Sequence, residues 1–323
     1  IERMLRNNLL LPIDKDFGNT PNYIDSNISP YIIDRFNMID GSGKNANDYA
    51  VGYMWGTTGL LYNTKYVTAE QARSWSILHD EQFRKKIFIK DAFRDVYGPI
   101  LVYLKRDAID RGEVTMDQVM YDASDESIAL VETFLKKAKR LVAGWEADFG
   151  KEMMTKEKAY INLTWSGDAV WAIEEAADVG VSLDYYVPDE GSNVWFDGWV
   201  IPKYAKNTKA AAYFINYMCR ADNALANMEE IGYVSCAGGK GAASTILEAQ
   251  YDEEAWPNTV DATYFFGNEP IEVDGELLDP HALHLNPVYY ADKSTIDRCA
   301  LMHDAGEAQE LLLEMWNEIK LAR

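Results

Sequence analysis

Residues 192–202, SNVWFDGWVIP, place one carboxylate, Asp197, among the aromatic side chains of Trp195, Phe196 and Trp199. A bare carboxylate loses hydration beside apolar rings and gains nothing in return. A carboxylate that faces an organic cation does gain, because it neutralises the charge and each ring face attracts the cation by about 0.5–2 kcal/mol. These residues alone leave two interpretations open: a core strand in which Asp197 caps a turn, and a site for an organic cation.

The charge balance of the chain favours the same class of ligand. The 323 residues include 31 basic and 52 acidic side chains, which gives a formal net charge of −21. We do not expect such a protein to bind the phosphate backbone of a nucleic acid or an anionic membrane surface, whereas it attracts cations. The length and the 48% hydrophobic fraction suit a large core, in two domains or one large domain.

The sequence carries no positive sign of catalysis. It contains neither a GxSxG elbow nor an HExxH motif, and a chain with 52 acidic residues makes any carboxylate pair an unspecific signal. The stretch CAGGKGAAS resembles a phosphate loop, but Gly241 follows Lys240 where Ser or Thr is required. We therefore expect a protein that is not an enzyme. A hydrolase that uses acidic residues on a sugar is the alternative.

The cysteines and histidines do not form a pattern that predicts a metal site. Cys219, Cys236 and Cys299 are widely spaced and form no CxxC pair, so we expect small buried thiols. His281 and His284 lie in a polar loop without a cysteine nearby. The sequence thus predicts neither a metal nor a cofactor.

Helical and extended segments alternate along the chain, which predicts an α/β fold. The clearest helix lies within residues 122–145, with acidic residues at its start, basic residues near its end and Gly144 as its stop. We also predict two helices in 207–233 that break near Arg220–Asn223, and a helix in 306–323. Strands are predicted at 86–90, 160–165 and 181–188, and a helix with Asp168 in its first turn follows the second of them.

Several stretches, taken in chain order, resemble the spermidine/putrescine receptors of bacterial ABC importers. They are GYMWGTTGLLYN (52–63), KDAFRDVYG (90–98), TWSGDAVWA (164–172), the run from 185 to 218, IGYVS, and YADKSTI. Each motif is modest in specificity, but the collinear series covers nearly the whole chain apart from an insertion at about 248–286. The resemblance implies a two-lobed α/β receptor of the periplasmic binding protein type (type II), with the ligand cleft between the lobes.

The resemblance also implies how the chain is divided. Lobe 1 is expected to comprise 1–57 and 196–298, and lobe 2 to comprise 61–191 and 303–323. In this family a first strand, a helix and a second strand precede the position that matches Ile1. We therefore expect an upstream segment that this sequence lacks, and the opening residues, IERMLRNNLLLPID, read as the middle of a helix.

The family resemblance assigns roles to six side chains. Asp197 matches an aspartate that pairs with a ligand amine, and Trp195 an aromatic residue that packs along the methylene chain. Trp165 matches a stacking ring of the cleft. Asp168 matches an amine-binding aspartate of the putrescine-type members, where spermidine-type members have serine.

The two remaining assignments concern an aspartate and a tyrosine. Asp95 matches an acidic cleft residue that is usually glutamate, and Tyr290 matches a tyrosine that lines the amine site. Met302 aligns, by contrast, with a glutamine of spermidine-type members, and the loss of that polar contact favours a short diamine.

These matches imply an extracytoplasmic receptor that captures putrescine or spermidine and docks on an ABC transporter permease. We expect a monomer that is periplasmic or lipid-anchored to the outer face of a membrane, without a nucleic-acid partner. Related receptors bind thiamine, sugars, ferric ion or amino acids. A ferric site needs clustered tyrosines such as those in 184–186, and an amino-acid site needs an arginine such as Arg94. A relative that acts as a structural or signalling subunit is a further alternative.

Overall fold

The computed structural model describes residues 1–321, and its backbone contacts divide the chain into two compact units. Unit 1 comprises Ile1–Trp55 and Phe196–Ser294, and unit 2 comprises Gly56–Trp195 and Thr295–Arg323. Each unit is therefore assembled from segments that lie far apart in the sequence.

The helices and strands alternate through both units, which confirms the predicted α/β class. The helices are α1 (Glu2–Arg6), α2 (Tyr23–Asn27), α3 (Pro30–Asn37), α4 (Ala69–Ala72), α5 (Phe93–Leu104), α6 (Arg106–Asp110), α7 (Met116–Tyr121), α8 (Asp125–Lys139), α9 (Gly150–Thr155), α10 (Ser166–Asp178), α11 (Thr208–Met218), α12 (Ala221–Ile231), α13 (Ala243–Gln250), α14 (Thr263–Phe266), α15 (Lys293–Ile296) and α16 (Gln309–Leu321). The strands are β1 (Leu10–Leu11), β2 (Ala50–Asn63), β3 (Ile87–Lys90), β4 (Val142–Glu146), β5 (Ile161–Trp165), β6 (Leu183–Tyr186), β7 (Ser192–Pro202), β8 (Val234–Ser235), β9 (Ile271–Val273), β10 (Glu276–Leu278) and β11 (Cys299–Leu301).

Unit 2 is built on a parallel core of three strands in the order β4-β3-β5. The strand β5 also pairs antiparallel with β2, which pairs with β6 as well. Ile87, Ile89, Ile161 and Leu163 are fully buried, as expected for parallel strands that are covered on both faces. Helices α5, α8 and α16 pack on this sheet and on one another around Trp316. The carboxyl ends of β3, β4 and β5 therefore lie side by side.

Unit 1 has less sheet and a core rich in aromatic rings. The strand β1 pairs antiparallel with β7, and β8 pairs antiparallel with β2. The ring of Trp55 stacks on Phe265 with 5.4 Å between the ring centroids, and Tyr31 meets Trp55 edge-on at 5.6 Å. The predicted insertion at 248–286 holds α14 and the antiparallel hairpin of β9 and β10, and Phe265 of α14 belongs to this core.

The helix predicted within 122–145 exists, but its predicted stop is wrong. The helix α8 begins after Ser124, whose hydroxyl accepts from the Ser127 amide, and it ends at Lys139. Gly144 lies instead inside β4, where it is paired with Phe88 of β3. Pairing with a buried neighbouring strand thus ends the helix earlier than its side-chain pattern alone suggests.

The other predicted elements are confirmed, with small shifts at their ends. The helices α11 and α12 are interrupted at Cys219 and Arg220, and the C-terminal helix α16 buries Leu312, Met315 and Ile319. The strands β3, β5 and β6 fall inside the three predicted strands. Asp168 lies in the first turn of α10.

The three cysteines are free and buried, in agreement with the prediction. Burial raises the pKa of the Cys219 thiol to about 12. Burial also raises the pKa of Cys236 well above its usual value, and the nearby charge of Asp197 adds to that shift. Within residues 1–321, no helix combines the length and the apolar composition that a membrane span needs.

We predict that Gly59→Ala lowers the free energy of unfolding by about 1–3 kcal/mol, because overpacking strains a close-packed sheet. A Cβ atom at Gly59 in β2 would lie 2.6 Å from the Tyr185 ring and 2.7 Å from the Tyr186 carbonyl oxygen. Gly144→Ala is the matched control, because its Cβ would approach only the Phe88 ring, at 3.2 Å. Urea unfolding of both variants measures the difference, and equal stability of the two would contradict this packing argument.

Candidate ligand-binding site

Three functional side chains lie at the carboxyl ends of the parallel strands of unit 2. Lys90 is the last residue of β3, Glu146 of β4 and Trp165 of β5. Open α/β sheets bind their ligands beyond this edge, because the loops that leave the strands there converge. This edge of the sheet is therefore a candidate binding site.

Lys90 is the centre of a buried ionic cluster at this edge. Its side chain is 2% exposed, and its Nζ lies 2.6 Å from Asp168 Oδ2 and 3.4 Å from Glu146 Oε1. The same Nζ lies 4.2 Å from the centroid of the Trp165 ring. The ammonium group is thus held by two carboxylates and one indole face.

The two carboxylates of the cluster have further partners. Glu146 accepts a hydrogen bond from the Gly150 amide at 3.1 Å and one from Asn162 Nδ2 at 3.4 Å. Asp168 lies in the first turn of α10, where the helix dipole favours a negative charge. Lys151 Nζ lies 3.6 Å from Asp168 Oδ1. Lys151 Nζ also pairs with Asp148 Oδ1 at 3.0 Å, and the Asp148 side chain is 82% exposed. The buried carboxylates of Asp168 and Glu146 thus face two ammonium groups, Lys90 and Lys151, and the exposed carboxylate of Asp148 lies at the edge of the cluster.

Trp165 and Trp195 form an aromatic pair beside the cluster. Their ring centroids are 6.3 Å apart and the planes are inclined by 61°. The Trp195 indole donates from Nε1 to the Thr57 carbonyl at 3.2 Å. A Cβ atom at Gly56 would lie 2.5 Å from Trp195 Cζ2, so only glycine at this position of β2 leaves room for the ring. Both rings are partly exposed.

Asp95 lies in the first turn of α5, next to the same aromatic pair. It accepts a hydrogen bond from Asn193 Nδ2 at 3.4 Å and one from the Trp165 side chain. Burial raises the pKa of Asp95, and these hydrogen bonds and the charge of Arg94 offset only part of the shift. Among the described residues, no lysine or arginine forms a salt bridge with Asp95.

Asp197 belongs to unit 1 and lies in the middle of β7, so the alternative in which it caps a turn is wrong. The residue is exposed, yet its carboxyl is partly desolvated, which raises its pKa. Its charge contributes to the raised pKa of Tyr53, after the effect of burial. Tyr53 in turn packs on Trp199 with 4.5 Å between the ring centroids. In the part of the chain that the structure describes, Asp197 has no salt-bridge partner.

Tyr290 lies in the aromatic core of unit 1 and is fully buried. Its ring packs against those of Phe265 and Phe266, with 5.5 Å between centroids in both pairs. Its hydroxyl faces Met228 Sδ at 3.9 Å, and burial raises its pKa. The structure thus leaves this side chain no exposed surface with which to line an amine site.

The structure brings four of the six predicted site residues together in unit 2: Asp95, Trp165, Asp168 and Trp195. Asp197 and Tyr290 belong to unit 1, where Asp197 is exposed and Tyr290 is fully buried. Sequence reasoning missed Lys90 and Glu146 in the ionic cluster and Asn193 beside Asp95. The sequence does contain one signal for Lys90. This residue directly follows the apolar run 87–89, which is typical of a buried strand, so it is expected at the carboxyl end of that strand.

The described residues contain no group of three or more histidine, cysteine, aspartate or glutamate side chains that could hold a metal ion. The arrangement instead offers ring faces, carboxylates and a buried ionic cluster. These groups can bind a charged organic molecule.

Comparison with known proteins shows the family to which this chain belongs. The family model described as bacterial extracellular solute-binding protein matches residues 1–246. The chain is 27% identical over 233 residues to the spermidine/putrescine-binding periplasmic protein of Escherichia coli K12, which covers 72% of this chain and 60% of that relative. It is 27% identical over 265 residues to the putrescine-binding periplasmic protein PotF of the same organism, which covers 78% of this chain and 66% of the relative. The chain thus spans less than two thirds of the length of either relative.

A solved structure of a substrate-binding protein has a similar fold. The spermidine/putrescine ABC transporter substrate-binding protein PotD of Streptococcus pneumoniae matches with a TM-score of 0.68 at 23% identity, over 99% of this chain and 80% of that chain. The family match over residues 1–246 confirms the resemblance to bacterial solute-binding receptors, and this structural match confirms the predicted fold.

We predict that Lys90→Met lowers the free energy of unfolding by about 3–5 kcal/mol, because buried Glu146 loses its ammonium partner and Asp168 loses the one at 2.6 Å while it retains Lys151 at 3.6 Å. Urea unfolding at neutral pH measures the change. Lys86→Met is the matched control: it also removes an ammonium that lies over a ring, 4.4 Å from the Tyr160 centroid, but Lys86 is only partly buried. If the two variants lose the same stability, the buried cluster does not have the energetic role that its geometry indicates.

Proposed function

We infer that this chain, because it belongs to the bacterial extracellular solute-binding protein family, captures a small organic amine of the putrescine or spermidine type. The relatives described above carry these solutes in their names, which supports the choice of ligand class. The observation that carries the proposal is that Asp95 lies beside Trp165 and Trp195 without an ion-pair partner among the described residues. Such a site supplies the two things that an alkylammonium ion needs, a counter-charge and an apolar wall.

Each group of the site has a role in this proposal. Asp95 and Asp197 each accept hydrogen bonds from an ammonium group of the solute. Trp165 and Trp195 pack against its methylene segments and attract its charge through their ring faces. Tyr290 supports the unit 1 core and does not contact the solute. The net charge of −21 adds a long-range attraction for cations, which raises the rate of encounter.

The proposed cellular role is that of a receptor for an ABC importer. The solute-loaded chain delivers the amine to a membrane permease and works as a monomer, either in the periplasm or anchored by a lipid to the outer face of a membrane. Binding alone fulfils this role, so no catalytic step is proposed.

Two alternative solutes have less support from the local geometry. A ferric site would need free phenolates, but Tyr185 is buried, with its hydroxyl 3.1 Å from Thr57 Oγ1, and Tyr186 donates to Asp189 at 2.7 Å. An amino-acid site would need Arg94, whose Nη2 donates to the His303 carbonyl at 3.0 Å. These contacts engage the side chains on which each alternative depends.

We predict that Asp197→Ala weakens amine binding by at least about 30-fold, since about 1.4 kcal/mol corresponds to each decade of affinity and loss of one partner of a desolvated ion pair costs about 2–5 kcal/mol. Calorimetric titration with putrescine and with spermidine measures the effect. Asp34→Ala removes the same charge from an exposed position on α3 of unit 1 and is the matched control.

Equal loss of affinity in the two variants would mean that Asp197 acts only through net charge. An unchanged affinity in Asp197→Ala would remove Asp197 from the site. If the wild-type chain bound neither amine at millimolar concentration, the proposed function itself would be wrong.

We predict a second signature, in the pH dependence of binding. Desolvation raises the pKa of both Asp95 and Asp197, so the free protein holds protons on these groups at a higher pH than ordinary aspartates do. A bound ammonium favours the ionised carboxylates, and binding should therefore release protons and weaken as the pH falls through the raised pKa values.

Titration at about pH 5 in two buffers with different ionisation enthalpies measures the number of protons released. Asp95→Asn should remove part of the release and part of the pH dependence. Uptake of protons on binding, or the same release in Asp95→Asn, would contradict the assignment of Asp95 to the site.

A further inference from the structure

The position that the family resemblance assigns to a solute amine already holds an ammonium group of the chain itself. Asp168 is the residue that matches an amine-binding aspartate, and Trp165 is the ring expected to stack on the ligand. In this structure Lys90 Nζ lies 2.6 Å from Asp168 Oδ2 and 4.2 Å from the Trp165 ring centroid. Those are the counter-charge and the ring face that a solute ammonium would need there.

The carboxylates that are buried at this position already have ammonium partners within the chain. Lys90 pairs with Asp168 and Glu146, and Lys151 pairs with Asp168 and with the exposed Asp148. All four side chains are well packed: Lys90 and Glu146 are 2% and 1% exposed, Asp168 is 7% exposed and Lys151 is 23% exposed. A solute ammonium that entered here would meet a like charge at close range, which is unfavourable wherever water is excluded.

The contact is not a common surface arrangement of lysine and ring. Lys86 over Tyr160 and Lys151 over Trp171 also place an ammonium above an aromatic face, at 4.4 Å and 5.1 Å from the ring centroid. Lys86 and Lys151 remain partly exposed, so water can hydrate them. Lys90 is instead buried between two carboxylates and the Trp165 ring.

We propose that Lys90 is a resident ammonium that fills, from within the chain, the subsite at Asp168 and Trp165 that would otherwise take one amine of the solute. This proposal rests on the proposed function and narrows its solute class. With that subsite filled, unit 2 retains Asp95 as its carboxylate for a solute, and the receptor selects a short diamine over a triamine. Lys90 is thus a specificity-determining residue, and Asp168 holds Lys90 in place.

The test compares putrescine and spermidine binding to the wild-type chain, to Lys90→Met and to the control Lys86→Met by calorimetric titration. We expect the wild type and Lys86→Met to bind putrescine at least about 10-fold more tightly than spermidine. Lys90→Met should bind spermidine at least about 10-fold more tightly than the wild type does, because the third ammonium replaces the one that was removed. Spermidine should also raise the melting temperature of Lys90→Met more than that of the wild type, as binding to the folded state requires.

Lys90→Gln keeps the proposal testable if Lys90→Met does not fold, because its amide can still donate to Asp168 and Glu146 while the ammonium is removed. The preference for putrescine over spermidine should fall at least about 3-fold in Lys90→Gln relative to the wild type. An unchanged preference, in a variant that unfolds at the wild-type temperature, would overturn the proposal.

The failures of the two proposals can be told apart. If the wild type binds amines but Lys90→Met keeps the wild-type ratio of putrescine to spermidine affinity, the resident ammonium is refuted while the receptor function stands. If neither amine binds to the wild type, to Lys90→Met or to Lys86→Met, the receptor function is wrong and the specificity proposal falls with it.

Discussion

The Lys90 ammonium lies where water cannot hydrate it, and a charge in such a place persists only if other groups replace the lost hydration. Asp168, Glu146 and the Trp165 ring do so. Their convergence depends on the parallel order β4-β3-β5, which brings the last residues of three strands to one edge. The position of Trp165, and through it those of Trp195 and Asp95, is therefore tied to the neutralisation of one buried charge.

The local elements of the fold could be predicted from the sequence because their signals are local. The spacing of apolar residues and the order of charges identified α8, and the turn before Asp168 identified the start of α10. The same logic misplaced the end of α8, since Gly144 belongs to a strand whose partner, β3, lies more than 50 residues earlier in the chain. The Lys90 cluster could not be predicted in this way for the same reason: its members come from three strands and two helices that meet only in the folded unit.

A role carried over from a family match is also incomplete without the charges around the residue. Asp168 and Asp197 match aspartates with the same role, yet Asp168 is buried between two lysines whereas Asp197 is exposed and has no salt-bridge partner among residues 1–321. Tyr290 matches a cleft residue, and three aromatic and sulfur-bearing neighbours enclose it. Which of the matched residues can meet a solute is thus a property of the tertiary structure, and a sequence alignment alone does not contain it.

The buried thiols have a practical consequence for fluorescence labelling of the protein. Alkylation requires an accessible thiolate. Burial raises the pKa of Cys219 to about 12 and that of Cys236 well above its usual value, which disfavours the thiolate of both residues at neutral pH. All three native cysteines are also shielded from solvent. A single cysteine introduced on the surface could therefore be labelled selectively with a maleimide dye, which would make the wild-type background suitable for a fluorescent biosensor without removal of any native cysteine.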